Sequence, residues 1–278
     1  MGLFSQKMNY VAHICEALNK YPEKFESETT WKDLGKPAIT LAVKEDGGLG
    51  PLKMNQPYAG SGPNKERQLS SHIHFTAIAR NNKDLFVTDL GSDKVYIEHF
   101  HENTGYIFNN EHQAIQTEPG AGPRHMDIDV QSRFIYVLEE LTGYVSVYTY
   151  PDKKQPELVQ RIRATPAEYT GKPASADIHL SPDGKFLYTS NRDESNTIAI
   201  FAADKKSGTL SLKGHQSTLG KTPRNFSLDP SVKFLLVANQ NSDEIVVFKR
   251  NTRTGMLTDT GNRVTVGKPV CIKWVSTK

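Results

Sequence analysis

Cysteine is nearly absent: Cys15 and Cys271 are the two in 278 residues. They leave no disulfide framework and no metal-ligand spacing, and a reducing compartment is expected. No sign of charge dominates either. Lys and Arg number 34 against 31 Asp and Glu, a formal net charge of +3, and no basic stretch is interleaved with stacking aromatics. Nucleic acid is therefore not an expected partner. No apolar run is long enough to cross a membrane, and the N-terminus lacks the apolar core of a signal peptide, so the expectation is a cytoplasmic protein without a membrane partner. The glycine-rich GSGP (60–63) and GAGP (120–123) lack the lysine of a phosphate loop and read as turns. Without a nucleophile elbow or a Ser-His-Asp arrangement, covalent catalysis is not supported. His72-x-His74 and His99-x-His101 each put two histidines on one strand face, but neither has a convincing third ligand, so no metal and no cofactor are expected.

What the chain does have is a repeat. HIHFTAIARNNKDLFVTDLGSDKVYI, RHMDIDVQSRFIYVLEELTGYVSVY, DIHLSPDGKFLYTSNRDESNTIAIF and RNFSLDPSVKFLLVANQNSDEIVVF each read as a strand, a turn, an aromatic-rich strand, a polar loop and a β-branched strand. Nine positions separate the turn residue (Arg80, Val130, Pro182, Pro230) from an acid or amide (Asp89, Glu139, Asn191, Asn239). The following column, Leu90, Glu140, Arg192 and Gln240, recurs at spacings of 50, 52 and 48 residues. Sheets repeated at this period predict an all-β protein, a β-propeller.

In a propeller blade the first strand lines the central channel and the second runs back antiparallel to it. First-strand starts and second-strand ends then share one face of the disc. First-strand starts align as His74, Arg124, Ala176 and Arg224, and the next column as Phe75, His125, Asp177 and Asn225. Second-strand ends add Glu140, Arg192 and Gln240. A packing column should repeat its chemistry, whereas these change sign from blade to blade. Arg124, Arg192 and Arg224 offer forked donors suited to carboxylate or phosphate oxygens. Glu140 among arginines is expected to be ionised, and His74 and His125 could move a proton near neutral pH. Asp177 and His179 share a face of an inner strand, either touching substrate or completing a channel-lining hydrogen bond. The columns thus describe a pocket for a small anion with acid–base chemistry, or else an Arg–Glu ring tying blades together.

Residues 1–37 stand outside the repeat. Met8, Val11, Cys15 and Leu18 fall at helical spacing and predict a short amphipathic helix over 8–21. A propeller domain over 38–278 follows, with a strand at AITLAV (38–43), a long ordered loop at 60–70, and full blades at about 71–119, 120–170, 171–220 and 221–262. GKPVCIKWV (267–275) reads as one more innermost, closing strand.

At these same residues the chain resembles the seven-bladed lactonase propeller family, which contains bacterial 6-phosphogluconolactonases and fungal carboxymuconate lactonizing enzymes. The matching stretches are GSGPNKERQLSSHIH (60–74), DLGSD (89–93), GAGPRH (120–125), LEEL (138–141), SADIHLSPDGKFLYTSNR (175–192) and TPRNF (222–226). The resemblance implies a propeller of the seven-bladed lactonase type with N-terminal blades missing or incomplete. It places the catalytic residues on a histidine of SHIH, taken as His74 by its column with His72 beside it, and on Arg124, Glu140 and Arg192. His72, His125, Asp177, His179 and Arg224 are the expected substrate-binding residues. The implied activity is metal-independent hydrolysis of a small anionic sugar lactone. Carboxymuconate cycloisomerisation and a non-catalytic binding or scaffold role are the alternatives, with oligomerisation expected if the ring is open.

Overall fold

The computed structural model describes residues 10–14, 37–44, 48–108, 114–150 and 155–274. These fold into five antiparallel sheets taken in chain order. The first contains β1 (Tyr10–Ile14), β2 (Ala38–Val43) and β3 (Leu49–Gln56). The second has β4 (Ile73–Ile78), β5 (Asp84–Asp89) and β6 (Lys94–His101), with β7 (Tyr106–Phe108) and β8 (Ala114–Gln116) pairing with opposite ends of β6. The third contains β9 (Pro123–Ile128), β10 (Phe134–Glu139), β11 (Tyr144–Thr149) and β12 (Leu158–Arg163). The fourth contains β13 (Ser175–Leu180), β14 (Phe186–Asn191), β15 (Thr197–Ala203) and β16 (Leu210–Ser217). The fifth contains β17 (Pro223–Leu228), β18 (Phe234–Asn239), β19 (Glu244–Arg250) and β20 (Leu257–Thr265).

Four of these sheets are the four repeats, and the expected strand AITLAV is β2. The chain packs as two compact units, 2–124 and 125–278, with the division falling inside β9.

Three expectations change. The predicted helix over 8–21 gives way, where the structure describes it, to strand β1 paired antiparallel with β2; its other residues lie outside the described part. YVAHI carries aromatic and β-branched residues beside a strand partner, and that pairing outweighs a weak helical spacing. The last repeat runs to Thr265, three residues beyond its expected end at 262. Residues 267–274 form no strand. They bond to side chains of β17: the Ile272 N–H donates to Asn225 Oδ1 (2.7 Å) and Trp274 Nε1 donates to Ser227 Oγ (2.9 Å).

Within unit 125–278 the core lies between successive sheets, because each β-strand face buries its alternate residues against the next sheet. Phe134, Tyr136, Leu138 and Val147 pack with Ile178, Leu187, Ala199 and Phe201. One sheet further on, Phe186, Tyr188 and Ile200 pack with Phe226, Leu235, Val246 and Phe248. Two hairpin glycines make this possible. A Cβ on Gly208 would sit 2.5 Å from the Phe134 ring, and one on Gly255 2.4 Å from the Phe186 ring, so each aromatic seats on a bare backbone. In unit 2–124 the corresponding core gathers Ala38, Ile73, Leu85, Val87, Phe100 and Ile107.

The β4–β5, β13–β14 and β17–β18 hairpins share two irregularities. Their turns each hold one residue in the left-handed region: Asn82 (φ 55°), Gly184 (φ 66°) and Val232 (φ 61°), with Ser132 (φ 53°) at the same position of its repeat. Near their open ends, each first strand carries one extra residue against the second. The pairing passes from Ile73 to Phe75, from Ser175 to Ile178 and from Pro223 to Asn225 while the partner strand advances one residue fewer. These β-bulges sit on the column expected to carry the site.

Candidate active site

A β-bulge bends its strand and re-aims a side chain, which is why bulges gather beside functional sites. Here they fall at His74, at Ala176–Asp177 and at Arg224. The opposing strand end is fixed in the same manner in three repeats. The backbone N–H of Leu90 donates to His72 O (3.0 Å), that of Arg192 to Ala174 O (2.9 Å) and that of Gln240 to Thr222 O (2.9 Å). One backbone geometry therefore presents an apolar, a cationic and an amide side chain in turn.

In unit 2–124, His72 and His74 lie with ring centroids 6.0 Å apart. His74 is buried, and the His72 N–H is clamped by Asp89 Oδ1 at 2.6 Å. Arg124 opens β9 and is 2% exposed, one of the largest fully buried side chains of the protein. Its carbonyl accepts a 2.7 Å hydrogen bond from Thr88 Oγ1. The loop leading to it is held by a residue to which the sequence reading gave no role. The Asp93 carboxylate accepts from Gln68 Nε2 (2.6 Å), Gly120 N (2.7 Å) and Gly122 N (2.8 Å). Asp93 thus ties the 60–70 loop to GAGP and sets the start of β9. Its only signal in the sequence is the last position of DLGSD.

In unit 125–278 the structure brings two groups together. Glu140 and Arg192, at corresponding second-strand ends of adjacent sheets, form an ion pair with Arg192 Nη2 2.8 Å from Glu140 Oε2. The carboxylate side chain is 2% exposed and the guanidinium 15%. Arg192 also reaches the carbonyls of Ala174 and Ser175 at 3.4 Å, so its plane is fixed by backbone as well as by charge. This one contact satisfies both the catalytic reading and the inter-blade ion-pair reading of the columns.

The second group centres on Asp177. His125 Nδ1 lies 2.8 Å from its Oδ1 and His179 Nε2 3.1 Å from its Oδ2. Asn225 Nδ2 and the Phe226 N–H also donate to Oδ2. Burial pushes the Asp177 carboxyl upward, but the two histidines outweigh it and hold the group well below its usual range. Burial alone would lower His179; the Asp177 charge and hydrogen bond reverse that and raise it. Beside them Asp127 accepts from Leu180 N (2.7 Å), and burial raises its carboxyl despite that bond. Asn225, which also receives the Ile272 N–H, was aligned in the inner column without a role; Asp127, two residues after His125, was not singled out. Arg224 stands on its bulge, half-buried, in the strand that supplies Asn225.

A cleft of about 690 Å³ opens beside this unit's ion pair, lined by Arg192 together with residues of the 169–172, 193–196 and 221–222 loops. An arginine fixed by a buried carboxylate at the wall of a polar cleft can bind an anion or polarise a carbonyl oxygen.

Comparison with known proteins agrees with this architecture. Residues 37–274 match the sequence profile of the family described as lactonase, seven-bladed β-propeller. The 6-phosphogluconolactonase of Formosa agariphila is 40% identical over 219 residues, covering 77% of this chain and 61% of that protein. That of Bacillus subtilis is 33% identical over 234 residues, covering 84% and 65%. The solved periplasmic gluconolactonase of Pseudomonas aeruginosa superposes with a TM-score of 0.81 at 33% identity, covering 87% of this chain and 67% of that one. The chain spans 61–65% of the length of the two 6-phosphogluconolactonases. With the repeat, the sheet order and a profile match over most of the sequence in agreement, the chain belongs to the lactonase family of seven-bladed β-propellers.

Proposed function

We propose that the protein hydrolyses the lactone of a phosphorylated sugar acid. The observation that carries the reading is Arg192, which lines a cleft and is paired with the buried Glu140 behind it, in a chain 40% identical over 219 residues to a 6-phosphogluconolactonase. In this mechanism an arginine polarises the lactone carbonyl, and a carboxylate or histidine draws a proton from the attacking water. The tetrahedral adduct collapses with cleavage of the bond between the acyl carbon and the ring oxygen, which leaves as a hydroxyl after taking a proton. Arg192 supplies the first role and Glu140 the second. His74 and Arg124 enter through their columns in the repeat, as proton donor and oxyanion partner. His72, His125, His179 and Arg224 are proposed to contact substrate, and Asp177 to orient its two histidines. Nothing in the side-chain arrangement favours carboxymuconate chemistry or a scaffold role over hydrolysis. A cytoplasmic site of action belongs to the same proposal and rests on the sparse cysteine usage.

Hydrolysis of freshly prepared 6-phosphogluconolactone, with spontaneous ring opening subtracted, tests the reading. The wild-type protein should accelerate opening, and Glu140→Gln should lower kcat by about 10³-fold, the scale of losing a positioned base or charge partner. Full activity in that variant would overturn the assignment of Glu140.

A further inference from the structure

The cleft beside Arg192 is built from two lysine-bearing loops whose backbones are pinned. On one side Tyr169 Oη donates to Lys172 O (3.0 Å) and Arg163 Nη2 donates to Tyr169 O. The Tyr169 ring covers Gly171, where a Cβ would lie 2.4 Å from Tyr169 Oη. On the other side the Lys221 N–H donates to Ser242 Oγ (2.7 Å), and the Thr222 N–H donates to Asn196 Oδ1 (2.7 Å). Asn241 Nδ2 completes the frame through Thr222 Oγ1 at 2.8 Å. Lys172 and Lys221 are exposed, and both line the cleft that Arg192 borders.

The same cleft carries an acceptor of opposite sign. Asp193, 7% exposed, also lines the cleft. Its Oδ1 accepts from the Ser195 N–H (2.9 Å), whereas its Oδ2, also buried, has no protein donor among the described residues. A buried carboxylate oxygen without a donor is costly, so a ligand hydroxyl placed there would gain affinity. Glu194 adds a second acidic side chain at the lining.

We propose that this cleft binds the hydroxylated edge of the sugar lactone ring and its exocyclic phosphate, with Asp193 accepting from a ring hydroxyl and Lys172 and Lys221 holding the phosphate. The proposal rests on the lactonase reading and assigns the substrate's phosphate and hydroxyls to named residues of the cleft. A polyol phosphate brings both hydroxyl donors and an anion, matching a lining of both signs. A carboxymuconate brings only acceptors and would leave Asp193 facing like charge. The volume, about 690 Å³, lies in the range of small-molecule sites and leaves room for a six-carbon chain with its phosphate.

The test is the ratio of kcat/KM for 6-phosphogluconolactone to that for unphosphorylated gluconolactone, in the wild type and in the double variant Lys172→Gln/Lys221→Gln. The ratio should fall at least tenfold in the double variant, and Asp193→Asn should raise KM for both lactones more than it lowers kcat. An unchanged ratio in an active, folded double variant overturns the cleft while leaving the lactonase reading standing. If the wild type opens neither lactone, the lactonase reading fails, and calorimetric binding of gluconate 6-phosphate then decides the cleft alone. Binding that the double variant abolishes supports it; binding that is absent, or equal in both proteins, overturns it.

Discussion

Glu139 and Glu140 are consecutive, and both are almost wholly buried, yet their surroundings differ in kind. Glu139 is satisfied within its own sheet. Its carboxylate accepts from Thr142 Oγ1, from Ser146 Oγ at 2.6 Å and from Arg161 Nη2 at 2.7 Å, while the Arg161 guanidinium stacks 4.1 Å from the Tyr144 ring centroid. Glu140, in the turn that follows β10, meets Arg192 of the next sheet, which borders a cleft. The same division holds around the repeat. Asp89, Asn191 and Asn239 stand in the Glu139 column, all fully buried, and bond to the scaffold around them, with Asn191 Nδ2 donating to Ala164 O (2.9 Å) and Asn239 Nδ2 to Thr218 O (3.0 Å) of the preceding repeats. One column holds the scaffold together; its neighbour reads apolar, anionic, cationic and amide in turn, as Leu90, Glu140, Arg192 and Gln240.

Substituting the two glutamates in parallel is the sharpest way to break this comparison. Glu140→Gln should cost about 10³-fold in kcat on the phosphorylated lactone and, because it also breaks a buried ion pair, about 3 kcal/mol of stability. Glu139→Gln should leave kcat near the wild-type value. It removes the carboxylate charge beside Arg161 and should destabilise by about 2 kcal/mol, below the full cost of breaking a buried pair because Arg161 is 29% exposed. Parallel activity and denaturant-unfolding measurements separate the two effects; an equal loss of kcat in both variants would mean that the two columns do not differ in function.

Asp177 tests where that boundary lies inside the inner column. With five donors converging on it, Asp177→Asn should cost about 3 kcal/mol, more than Glu139→Gln, since two histidines lose a buried counter-charge. Its pH dependence has a definite sign. Asp177 is depressed in the folded state, so its contribution is present above its unfolded value near 3.8 and is lost as pH falls through the lower folded value. His179 is raised, so its contribution is full below 6.5 and is lost as pH climbs through the higher folded value. Asp127, which faces the same histidine and is itself raised, adds a loss in that same upward direction, beginning above 3.8. Lys273, the other charge near His179, opposes its protonation. Urea unfolding at pH 5.5 and pH 8.5 should therefore show the wild type weaker at the higher pH, and Asp177→Asn should flatten that difference. An undiminished difference in the variant would place the titration elsewhere.

The fold was legible because a propeller repeats its turns and strands in sequence order, and four periods are hard to produce otherwise. The Glu140–Arg192 contact was legible for the same reason, since the period alone aligns two strand ends in adjacent sheets. Three features were not. The bulges at His74 and Arg224 depend on how many residues of one strand oppose the next, which periodicity does not count. The roles of Asp93, Asp127 and Asn225 come from bonds to loops and strands remote in sequence, as in Gly120 N to Asp93 Oδ2. Strand β1 was misread as helix because Met8, Val11, Cys15 and Leu18 happen to fit a helical face, while the partner that makes it a strand lies at Ala38–Val43.

The smallest effect tests the scaffold side of the comparison from the opposite direction, by improving it. The left-handed turn position is Asn82, Ser132 and Gly184 in three repeats but Val232 in the fourth, at φ 61°. A β-branched side chain in that region crowds its own backbone, at a cost of about 1–2 kcal/mol. The turn is otherwise well made, with Asp229 Oδ1 accepting from Phe234 N at 2.7 Å and Val232 N donating to Asp229 O at 2.8 Å. Val232→Gly relieves the strain and gives back part of the gain as unfolded-chain entropy, so about 1 kcal/mol of stabilisation should remain. Val232→Asn, copying Asn82, should achieve nearly as much. Because the turn lies at the opposite end of the strand from Arg224, lactone hydrolysis should not change. A destabilised Val232→Gly protein would show that the valine side chain contributes packing that outweighs its strain.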